Sequence, residues 1–176
     1  MRKKVKEITD LQTKKLSEKK KQQFLQELET NPLALEKACY QIRDDKGLTL
    51  KALEKSLGNI AYASERIKND EEIAMMLAKT SGLYLLNMNE RFKDMDEIML
   101  EGVKSSPLAI RIASDRLQNS KEFILKAAKE GSTCYKETNE KIQKDKIFIA
   151  QAENAYNTWL EENRQQFKKQ RKKLDK

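Results

Sequence analysis

Cys39 and Cys134 are the only thiols in the 176-residue chain, which contains no histidine. A thiol nucleophile needs a neighbouring base or cation to draw off its proton, and a zinc site needs several ligands, commonly Cys and His together. The two cysteines stand far apart with no CxxC spacing, so they meet neither requirement. Without histidine the commonest general base is missing too, and no glycine-rich phosphate loop occurs. The expectation is therefore no enzyme, no catalytic residue, no metal and no cofactor. Two cysteines without a disulfide framework suit a reducing compartment.

The remaining chemistry is charge. The chain carries a net +8, but residues 1–21 hold nine Lys/Arg against three acids and residues 164–176 hold seven against one, which leaves residues 22–163 at −4. A phosphate-wrapping surface inside the body would need the opposite balance. Contacts to nucleic acid or to an acidic partner are expected only from the ends, through Lys19, Lys20, Lys21, Lys168, Lys169, Arg171, Lys172 and Lys173. The alternative reading of these runs is a solvated segment that keeps the protein soluble.

A second set of charges recurs within the body: Glu65–Arg66, Glu90–Arg91, Asp115–Arg116 and Glu140–Lys141. Their spacing reveals what must position them, since Ile42, Ile67, Phe92, Leu117 and Ile142 repeat the same 25-residue step. Leu48, Ile73, Ile98, Phe123 and Phe148 form a second apolar column, and Leu35, Ile60, Leu85, Ile110 and Tyr135 a third. Asn31, Ser56, Ser81, Ser106 and Gly131 form a cap-like column, followed by Pro in two copies, which reads as a helix start. A second start is expected at Asn69, Asp94 and Asn119, each followed three residues later by Glu, as in a capping box.

Between the two starts, Leu35, Ala38 and Ile42 have helical spacing, so each unit reads as a pair of short helices, the second with the broader apolar face. Such helices persist only by stacking. The expected fold is all-α: an α-solenoid or superhelical bundle of five 25-residue repeats, 31–55, 56–80, 81–105, 106–130 and 131–155. Residues 1–30 form a basic segment and a capping helix from Ser17, with Phe24, Leu25 and Leu28 on one side. The last repeat continues into a helical extension with a basic tail over 156–176, in which Trp159 caps the array or contacts a partner. The paired charges are expected to bridge adjacent repeats, and the row Lys79, Lys104, Lys129 to face solvent.

The longest apolar run, Ala74 to Ala78, is far below the roughly 20 residues that span a bilayer, and no secretory signal opens the sequence. A cytoplasmic protein is expected.

The segments Ala63 to Asp70 (ASERIKND) and Ala113 to Ser120 (ASDRLQNS) resemble the bacterial repeats of domain-of-unknown-function family 4116. The likeness spans about residues 31–155 and departs at Met88–Asn89 and Thr138–Asn139. It implies a helical-repeat fold and brings no activity with it. A helical array without catalytic groups points to a protein-binding module, an adaptor or inhibitor. The alternatives are nucleic-acid association through the basic termini, or a small phage or mobile-element inhibitor of a nucleic-acid-handling enzyme. Tyr62, Met76, Tyr84, Met95 and Met99 interrupt the period where other copies are often polar or small, and with Trp159 they are the candidate partner contacts.

Overall fold

The computed structural model describes residues 16–174, with side chains through residue 164. Residues 1–15, and the side chains of Lys168, Lys169, Arg171, Lys172 and Lys173, lie outside the described part. The protein is an all-α helical repeat, with no strand among the described residues. Six longer helices mark the chain: α1 (Glu18–Thr30), α2 (Lys46–Lys55), α3 (Glu71–Ser81), α4 (Asp96–Ser105), α5 (Lys121–Lys129) and α6 (Lys146–Leu174). It divides into two compact units, Met1–Ile73 with Asn87–Asn89, and Ala74–Leu86 with Glu90–Lys176.

The second helix of each expected pair is present, but the first is not one helix. In its place stand a 3-10 segment and then a single helical turn, as in Leu57–Tyr62 and Glu65–Lys68, or Pro107–Ile112 and Asp115–Gln118. The break falls at Ala38, Ala63, Ala113 and Thr138, all extended at φ near −65°. Leu35, Ala38 and Ile42 therefore do not share one helical face. What the break gains is a cap: Ser64 Oγ accepts from Ile67 N–H at 3.3 Å, Ser114 Oγ from Leu117 N–H at 3.4 Å, and Asn139 Oδ1 from Ile142 N–H at 3.2 Å. Extended backbone there also frees the capping residue's own N–H to reach the preceding repeat.

The start of each long helix lies one residue later than expected. The caps are Asp45, Asp70, Ser120 and Asp145, which accept from the N–H groups of Leu48, Ile73, Phe123 and Phe148 at 3.0–3.2 Å. Met95 occupies this position in α4 and makes no side-chain cap. Of the residues expected to cap, Asp94 instead holds Ser114 and Arg116 of the following repeat and Asn119 Oδ1 accepts from Asn139 Nδ2; Asp44, in the same column, holds Ser64 and Arg66.

In the first unit, Ser17 caps α1, whose Phe24 and Leu28 are buried while Leu25 is only half-buried. They join a core of Leu35, Ile42, Ala52, Leu53, Ile60 and Ile67. Asn59 is a fully buried polar hub: its Nδ2 donates to the carbonyls of Pro32 (2.7 Å) and Ala52 (2.8 Å), and its Oδ1 accepts from Leu35 N–H at 3.3 Å. One amide thus satisfies backbone groups that burial would otherwise leave unpaired. Ser64 N–H donates to Arg43 O at 2.9 Å, and Asn89 N–H to Lys68 O at 2.9 Å. Ser64 Oγ and Arg66 both bind Asp44, with Arg66 Nε at 3.1 Å.

The second unit repeats this clasp. Ser114 N–H donates to Lys93 O at 2.8 Å, while Ser114 Oγ and Arg116 hold Asp94, and Arg116 also reaches Asp96 at 2.6 Å. Arg66 and Arg116 do bridge adjacent repeats, as expected. Their partners, however, are the preceding Asp column, while Glu65, Glu90 and Glu140 pair within their own turns with Lys68, Lys93 and Lys144. The charged clasp recurs after 50 residues, and between its copies the same columns hold Asn69 with Asn89 and Asn119 with Asn139. In the latter pair Asn139 Nδ2 donates to Asn119 Oδ1 at 3.3 Å.

Close packing in the second unit centres on Leu77, Leu85, Phe92, Ile98, Val103, Ile110, Leu117 and Phe123. Gly82 meets Gly102 there so closely that a Cβ on Gly82 would lie 2.6 Å from the Gly102 carbonyl carbon. Ser105 Oγ secures the crossing, accepting from Gly82 N–H at 2.9 Å and donating to Ala78 O at 2.5 Å. The first half of α6 covers the end of this core with Phe148 and Ala152.

Candidate functional site

The candidate partner contacts separate into different environments. Met99 is fully buried, so it is a core residue and not a surface contact. Its place in α4 corresponds to Ala74 in α3 and Ile124 in α5, and the small-to-large changes in this column are exchanges of core volume. Tyr62, Met76, Tyr84 and Met95 are half-buried, Tyr62 in the first unit and the others in the second.

Trp159 is half-buried and seated on Gly131, whose φ of +91° is the only positive one among the described residues. A Cβ on Gly131 would stand 2.5 Å from the indole, so the glycine is required both by its backbone and by the ring. Trp159 also stacks on Tyr156 at 6.1 Å, and Tyr156 in turn meets Tyr135 at 6.4 Å. These contacts pin α6 to the end of the array, as the capping role requires. The same indole lines an open groove of about 640 Å³ between α5 and α6, with Leu125, Ala155 and Gln151, and with Lys129 and Glu162 of opposite charge.

A feature not foreseen from the sequence is an exposed leucine edge on the 3-10 segments of the second unit. Leu83, Leu86 and Leu108 are 42%, 61% and 43% exposed. Leu33 of the first unit shares the column of Leu83 and Leu108 and is exposed as well. The signal was available, because the remaining members of that column are Gly58 and Thr133, and a position open to Gly and Thr is not a core position.

The ionisable groups are occupied by structure. Lys46 lies 2.8 Å from Asp70; burial works to raise the Asp70 carboxyl, but the Lys46 ammonium and the Ile73 amide outweigh it and hold it below its ordinary value. Ser114 and Arg116 hold Asp94 low, and Lys121 holds Asp145 low. Lys104 pairs with Glu101 at 2.9 Å and Glu130 at 3.2 Å, and the row it forms with Lys79 and Lys129 faces solvent. Lys19 and Lys20 are exposed on α1, and Lys21 pairs with Glu18 at 3.0 Å. Burial pushes the Cys134 thiol up to about 11, so it stays protonated at neutral pH. Cys39 precedes the turn Tyr40–Arg43 at the capping position and makes no side-chain cap. Among the described residues no three His, Cys, Asp or Glu side chains converge as a metal site requires, and no helix is long and apolar enough to cross a membrane.

No curated protein and no solved structure matches the chain. A family model does, over residues 45–93 and again over 96–143, just over half of the sequence. Each matched copy is about twice the 25-residue step, begins at or next to a long helix and contains the Ser–Arg half of one charged clasp, Ser64–Arg66 or Ser114–Arg116, whose aspartate, Asp44 or Asp94, stands just before the matched range. The alternation of charged and Asn clasps and the length of the family unit agree, and the chain belongs to the family described as Domain of unknown function (DUF4116).

Proposed function

We propose that the protein is a non-catalytic binding module that docks another protein in the cytoplasm, as an adaptor or inhibitor. The observation that supports this is the set of exposed leucines on the 3-10 segments of the second unit: Leu86 is 61% exposed, and Leu83 and Leu108 are exposed in corresponding positions of successive repeats. Large exposed aliphatic side chains cost solubility and mark interaction sites when they gather. The half-buried Tyr84 lies in the same 3-10 segment and adds an amphipathic anchor of the kind enriched at interfaces. Cys134, protonated and buried, offers no nucleophile.

The test is crosslinking and affinity capture with the whole chain against the variant Leu83→Ser/Leu86→Ser/Leu108→Ser. Loss of a specific captured protein, with an unchanged melting curve, supports the reading. Capture that survives the triple variant overturns the assignment to this edge.

A further inference from the structure

We propose that residues 164–174, the distal part of α6, form a pre-organised helical rail for the phosphate backbone of nucleic acid. The inference is independent of the leucine edge and of the protein-docking reading. It starts from a mismatch between charge and structure. Between Glu162 and Asp175 the sequence has no acid but carries Arg164, Lys168, Lys169, Arg171, Lys172 and Lys173, and the backbone over this stretch is nevertheless one continuous helix.

Arg164–Lys168, Lys168–Lys172 and Lys169–Lys173 are like-charge pairs four residues apart, each of which works against the helix by about 0.2–0.5 kcal/mol. In the body, by contrast, acids stand within reach of helix cations: Lys104 has Glu101 and Glu130, and Lys46 has Asp70. Arg164 has Glu161 at 3.5 Å one turn back; beyond it the sequence of the helix offers no acid, and the compensation available from the helix itself is the negative end of its dipole. A polyanion laid along the helix removes the repulsion.

The fold also supplies the order that such a contact needs. α6 has 29 residues against the nine of α5, and its first half is fixed by buried Phe148 and Ala152 and by Trp159 on Gly131. A helix held at one end loses less freedom on binding than a free tail does. Two apolar residues in the distal eleven are too few for an interfacial membrane helix, whose anchoring scales with buried apolar area. Phosphate-backbone binding, which reads no sequence, fits the composition better.

The test is a mobility-shift titration of the whole chain with mixed-sequence duplex DNA and with single-stranded RNA, from 50 to 200 mM salt. Binding is expected to weaken steeply with salt. The variant Lys168→Gln/Lys169→Gln/Lys172→Gln/Lys173→Gln should flatten the log–log slope on duplex by about 3–4, one released counterion for each cation removed. Its Trp159 emission and melting point should match the parent protein, which separates lost contacts from lost folding. Lys79→Gln, on the solvent-facing row of the acidic body, should leave the slope unchanged. No retardation at 50 mM salt overturns the proposal, as does a quadruple variant with the parent slope, or binding to phosphatidylserine vesicles with none to either nucleic acid.

Discussion

Gly82 and Leu83 are neighbours in the chain with opposite duties. Gly82 is buried against the Gly102 backbone and held by Ser105, whereas Leu83 is 42% exposed on the same 3-10 segment. The one is a residue whose missing side chain lets the start and the end of one repeat close on each other; the other is a large side chain that the repeat does not use. A single 25-residue register thus produces both a backbone crossing with no spare volume and an edge with volume to offer. Periodicity alone does not separate the two, because both columns recur.

The sharpest way to break the comparison is Gly82→Ala. Its Cβ meets backbone, which cannot rotate aside, so a loss of about 3 kcal/mol is expected in denaturant unfolding. A loss below about 1 kcal/mol would show that the crossing has slack. Gly131→Ala comes next, at about 2 kcal/mol, from the strain of a positive φ and from displacement of the indole. Because Trp159 is the only tryptophan, its emission should shift to the red in this variant and not in Gly82→Ala.

Acid should act more mildly, on the clasps. The carboxyls of Asp70, Asp94 and Asp145 lie below their ordinary 3.8 in the folded chain, so they favour folding at every pH above that value and lose this contribution as pH falls through their depressed values. The melting temperature should therefore fall as pH drops below the ordinary 3.8 and through the depressed values, and Asp94→Asn should make that fall shallower. If Asp94→Asn leaves the pH profile unchanged, its clasp sets register without contributing to stability. The smallest effect belongs to the exposed edge, where Leu83→Ser/Leu86→Ser should change unfolding by no more than about 0.5 kcal/mol. A larger loss would mean that the edge is part of the core after all.

The stacking register, the all-α class, the helix from Ser17 and the long last helix were legible because each depends on apolar spacing or on a cap residue next to its helix. The split of the first helix was not. Leu35, Ala38 and Ile42 have helical spacing, yet the backbone is extended at Ala38 and Cys39, and in later copies the same break frees an N–H for a hydrogen bond between repeats, such as that of Ser64 N–H to Arg43 O. For the same reason the caps fell one residue late: Asp44 and Asp94 look like N-caps locally, and only the arrival of Arg66 and Arg116 from the next repeat assigns them to another task. Met99 was misplaced because a side chain that departs from its column looks the same whether the departure faces a partner or a neighbouring helix.

The sequence by itself determined the period, the division of charge between body and ends, the absence of histidine, and which residues are apolar; all of these are properties of the chain read in order. The tertiary structure decided which conspicuous residues are consumed and which remain. Asp44, Arg66, Ser105 and Trp159 are spent on neighbouring repeats, while Leu83, Leu86 and Leu108 are left exposed. The reason is that hydrogen bonds and burial here join residues 20 to 29 positions apart, and a local pattern carries no record of which of two adjacent side chains points toward that distant partner.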